Sequence, residues 1–142
     1  MAESRQWTLT RGVQAPVVFT GELLFHHDGI GGISLWQSLV SRGRWHACSV
    51  FRSREGRLVV YLCYRTRVAG ELDNREVFII DRLEELPPLF AQYQQVAFPV
   101  IASRMGGDER QRQREVMDLL ARFQTQVAKL LAALPGGART LP

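Results

Sequence analysis

At 142 residues, with 46% hydrophobic and 23% charged side chains, the chain has the size and composition of a single globular domain, which excludes a disordered or collagen-like protein. It lacks the run of roughly 18 apolar residues that a membrane span needs, and residues 1–19 carry no signal-peptide core, so a cytoplasmic location is expected. Net charge is +4, from 17 arginines and a single lysine, Lys129, a skew that coding bias explains as well as function does. Its distribution says more. Residues 42–67 hold seven arginines against one acid, Glu55, whereas 68–109 hold three arginines against eight acids.

In chain order, residues 7–11 predict a short edge strand, and 17–27 alternate Val17, Phe19, Gly21, Leu23 and Phe25 with more polar neighbours, the period of a second strand. Glycines 29, 31 and 32 break it. Ile33, Trp36, Leu39 and Val40 then recur at helical spacing, which predicts a short helix over 33–41.

Residues 45–52 and 58–67 predict a β-hairpin around Arg54-Glu55-Gly56, the glycine fitting the left-handed position of a three-residue loop. In that register Ser53 faces Arg57. Trp45, Phe51, Val59, Tyr61, Cys63, Arg65 and Arg67 then share one face, while His46, Cys48, Val50, Leu58, Val60, Leu62 and Tyr64 form the other, the better core. Cys48 and Cys63 fall on opposite faces and are expected to be free thiols.

Residues 75–80 read as a strand buried on both faces or close to it. Asp81 and Glu84 match a capping box, opening a helix along Leu83, Leu86, Leu89, Phe90 and Tyr93 that Pro87 and Pro88 interrupt and beyond which Pro99 ends the next stretch. Asp108 caps a long helix over 109–134, in which Val116, Leu120, Phe123, Val127, Leu130 and Leu134 make a heptad seam. The expected fold is therefore α+β, one domain: an antiparallel meander of about five strands within residues 7–81, a helical region over 82–134, and a frayed tail, with the short and the long helix packed on one face.

No catalytic, cofactor or metal motif stands out. His26 and His27 are adjacent in a strand and point to opposite faces, and His46 with Cys48 gives only two ligands. The glycine turn lacks the Lys-Ser/Thr ending of a phosphate loop. Glu71, Asp73 and Glu76 read as a solvated acidic connection, which leaves a small hydrolase as the least favoured class. The favoured expectation is a non-enzymatic binding or assembly module that contacts a protein partner, or another copy of itself, through Val116, Leu120, Phe123, Val127 and Leu130. The alternative is a nucleic-acid-binding module in which Trp45 and Tyr61 stack on bases while Arg57, Arg65 and Arg67 contact phosphates.

Overall fold

A computed structural model describes residues 4–29 and 43–134. Five strands, β1 (Arg5–Arg11), β2 (Gln14–His27), β3 (Arg44–Ser53), β4 (Leu58–Thr66) and β5 (Asn74–Ile80), form one antiparallel sheet in chain order. A 3-10 turn (Leu83–Glu85) leads into α1 (Leu86–Ser103), and α2 (Glu109–Ala133) follows. This is the α+β meander with a long C-terminal helix that the sequence predicts. The helix expected over 33–41 and the tail at 135–142 lie outside the described residues.

The hairpin has the predicted register, running from Arg44 opposite Thr66 to Arg52 opposite Leu58. Gly56 sits at φ +90°, and the Ser53 amide donates to the Arg57 carbonyl at 2.8 Å. Strand alternation therefore divides the side chains between two cores. Cys48, Val50, Leu58, Val60, Leu62 and Tyr64 face α1 and α2 and are buried with Leu86, Phe90, Tyr93, Phe98, Leu119, Phe123 and Leu130. Phe51 and Val59 face away and join Leu9, with Trp7, Phe19, Leu23, Tyr61 and Val77 around them.

That second core exists because β2 serves two partners. Its first half pairs with β1 and its second half with β3, with Gly21 opposite both Arg5 and Ser53. The resulting arm lies across the sheet: Trp7 packs on Phe51 of β3 at 4.8 Å, while Thr10 accepts from the Tyr61 hydroxyl of β4 through its carbonyl at 2.6 Å and from Arg75 of β5 through its hydroxyl at 3.0 Å. Gly21 permits the crossing, since a Cβ there would stand 2.2 Å from the Arg52 carbonyl oxygen. A bulge after Leu23 then turns Leu24 and Phe25 toward the helix-side core. Gly21→Ala is expected to cost about 1–3 kcal/mol, the range of an overpacked site, read from the urea midpoint. An unchanged midpoint would show that the arm does not bend there.

Three local expectations need correction. Glu85, not Glu84, completes the capping arrangement, accepting the Asp81 and Arg82 amides at 2.9 Å each. Pro87 and Pro88 open α1 rather than interrupt it, because first-turn amides have no intrahelical acceptor to lose. Pro99 lies inside α1, which continues to Ser103; the carbonyl that its ring deprives of a donor belongs to exposed Gln95, where water can serve it. α2 starts as predicted, with the Asp108 carboxylate accepting the Gln111 amide at 2.8 Å.

Candidate protein interface

The heptad seam packs within the chain. Phe123 and Leu130 have no exposed surface, and Val116, Leu120 and Val127 lie partly buried against the same core under α1 and the sheet. Phe123 meets four rings, those of His46, Tyr93, Phe98 and Phe90, in tilted or edge-on contacts at 4.8–6.2 Å. A 3.5-residue period records a buried stripe, and here the chain's own sheet covers it.

The hairpin face comes together only in part. Arg65 and Arg67 lie over the Trp45 ring, at 5.9 and 5.1 Å from its centroid, and Trp45 keeps 9% of its surface. Tyr61 is turned to the arm, bonded to Thr10. Arg57 is at the other end of the hairpin, 3.2 Å from Asp81. The face thus offers no open pair of rings for base stacking. Part of the charge segregation of the sequence is matched within the molecule: Arg44 pairs with Glu71, Arg57 with Asp81, and Arg65 with Asp73.

Between the sheet and α2 lies a polar layer that the sequence did not announce. Arg44 is buried; its guanidinium donates to Glu71 and stands 3.3 Å from Glu115, and its carbonyl accepts from Arg122 at 2.9 Å. Glu71 also accepts from Thr66 and from the Gly106 amide, so one carboxylate joins β4, the β4–β5 connection and the α1–α2 loop. The Arg44 hydrogen bond holds its pKa below the ordinary carboxylate value. Next along β3, His46 is buried, with Nε2 2.9 Å from the Tyr93 hydroxyl and Nδ1 without a partner among the described residues. Burial, with Arg122 nearby, lowers its pKa to about 3. Gln126 donates to the His46 carbonyl at 2.8 Å and meets His27 Nδ1 at 3.0 Å.

The residues that could have carried hydrolytic or metal chemistry are held apart. His26 meets Ser49 on one side of β2 and His27 meets Gln126 on the other. Glu71 is engaged by Arg44, Asp73 by Arg65 and Arg75, and Glu76 by Asn74. Burial pushes the Cys48 thiol up to about 12, far from a nucleophile.

The open feature is at the outer edge of β5. This strand is the last of the sheet, and among the described residues no backbone hydrogen bond reaches its outer side. A cleft of about 390 Å³ runs along it, walled above by Val13 and Gln14 at the arm's tip and below by Val96 and Val100 of α1. Val13 is fully exposed, Val96 58% and Val100 41%; Ile79 on β5 is 52% exposed. β5 is thus an edge strand whose two faces are half-buried, with Phe78 and Ile80 packed toward the helices and Val77 toward the arm, close to the burial on both faces expected from its Val-Phe-Ile-Ile run. Comparison with protein-family models, with curated proteins and with solved structures finds no match to this chain.

Proposed function

We propose that the chain is a non-enzymatic binding or assembly module whose contact surface is the β5 edge with the adjoining flank of α1. One observation carries this reading: Val13 at the arm's tip and Val96 and Val100 of α1, all exposed apolar side chains, line one cleft along the edge of β5, the strand on which Ile79 is also exposed. Exposed apolar side chains scattered singly are ordinary, but a contiguous group with a polar rim marks a contact site. Arg11, Arg75 and Glu76 supply that rim. The seam on α2 is not part of the surface, because its largest side chains are consumed by the fold.

A photo-cross-linking amino acid placed at Val100 is expected to give a discrete protein adduct in expressing cells, lost when Val96→Glu is added. The same group at Gln113, on the outward side of α2, should give none. No adduct from position 100 would refute the surface.

A further inference from the structure

Resting on that reading, we infer that the occupant of the cleft is the β5 strand of a second copy of this chain, paired antiparallel across a twofold axis to make one continuous ten-stranded sheet from two five-stranded ones.

The edge lacks most of the usual protections. Chains blunt exposed edges with proline, charged side chains and lysine above all, a bulge or a covering element, and β5 has charge only at its first end, on Arg75 and Glu76. β5, reading NREVFII, has neither proline nor lysine, and it pairs with β4 without a register shift. It is half-buried on its faces and open along its side. An edge of this kind is a template for another strand, and a strand that complements itself needs no other partner.

The sequence of β5 and its next residue sets the register. Arg75, Val77 and Ile79 lie toward the arm, at alternate positions from Glu76, Phe78 and Ile80, and Asp81 continues the first set. A twofold axis normal to the sheet pairs residues of the same set. Centred on Glu76, the pairing puts two carboxylates face to face; centred on Val77, it sets Arg75 against Ile79 and leaves the charge unmatched. Centred on Phe78, Arg75 of each copy faces Asp81 of the other, Val77 faces Ile79, and Phe78 faces itself. Glu76 faces Ile80 without a charge partner in the other copy, but of the three registers this one alone forms an ion pair between copies, and it forms it twice. Both groups have access: Asp81 is 69% exposed and pairs with the exposed Arg57, and Arg75 is 32% exposed.

Both α1 helices lie on the same side of the joined sheet, so Val96 and Val100, which line the cleft beside residues 74–77, come to flank residues 79–82 of the other copy.

The test uses the full chain and sedimentation velocity. The wild type is expected to be a dimer. Arg75→Asp and Asp81→Arg each set like charges opposite one another and should sediment as folded monomers by circular dichroism, whereas an equimolar mixture of the two should restore a dimer containing one copy of each. Loss of Arg75's contacts to Thr10 and Asp73 within one chain cannot produce rescue by mixing. Ile79→Lys, an exposed-edge change that leaves both charges in place, should also give monomers. A wild-type dimer that survives all three substitutions, or a mixture that stays monomeric, would overturn the strand pairing and leave the contact surface standing. A monomeric wild type would overturn it too; if position 100 still cross-links to a different protein, the binding reading survives without it.

Discussion

Phe123→Ala is expected to remove about 3–5 kcal/mol of stability, the range for deleting a fully buried phenylalanine. Against a total of roughly 5–15 kcal/mol for a domain of this kind, that leaves a chain near its folding limit. The size follows from position. Phe123 is the ring on which His46 from β3, Tyr93 and Phe98 from the middle of α1, and Phe90 from its first turns all converge. Removing it therefore unlinks three elements at once, and close packing on every side leaves little room for collapse. Met117, on the same helix but 71% exposed, supplies the contrast, with an expected change within about 0.5 kcal/mol for Met117→Ala. Urea unfolding with both variants measures the difference. A loss below about 1 kcal/mol at Phe123 would mean that the seam is not packed within the chain, and would return it to consideration as a surface for a partner.

The seam shows where the sequence was sufficient and where it was not. Its period established a helix and a buried stripe, because side chains 3.5 residues apart must share a face whatever covers them. What covers them is a tertiary fact, and spacing carries none of it. The hairpin was legible for a similar reason: a three-residue loop closing on Gly56 fixes the register, and the register fixes which residues share a face. The second core was not legible. Nothing local to Trp7 or Phe19 says that their arm crosses β3, β4 and β5; the signal was Gly21, read as one more position in an alternating strand when its missing Cβ is what admits the Arg52 carbonyl. The edge position of β5 was not legible either, because a run of Val, Phe, Ile and Ile looks the same in a central strand and in an edge awaiting a neighbour. That ambiguity is itself the basis of the proposed interface.

Stability is also expected to fall on acidification, beginning near pH 6.5 and well before the carboxylates titrate. The cause is His46. Unfolded, its imidazole takes a proton below about 6.5; folded, it is enclosed by Tyr64, Tyr93, Phe98 and Phe123, with Arg122 as the charge beside it, and binds one only near pH 3. Between those values the unfolded chain holds more protons than the folded one, so stability drops as pH falls, by up to about 1.4 kcal/mol per pH unit once the unfolded imidazole is charged. His27, lowered by burial and by Lys129, adds to the slope with the same sign. Glu71 acts lower. Its folded pKa lies under the ordinary carboxylate value, so the stability from its Arg44 bond is present above that ordinary value and is lost as pH falls through the folded one. Urea unfolding from pH 7.5 to 3.5 should therefore show two limbs, and His46→Gln, which keeps a hydrogen-bonding group toward Tyr93 but cannot titrate, should flatten the upper limb and spare the lower. A wild-type profile that is flat between pH 6.5 and 4.5 would mean that His46 accepts a proton without unfolding. The polar layer between β3 and α2 would then have to admit water or a counter-charge, and Nδ1, without a partner among the described residues, would mark an entrance instead of a sealed contact.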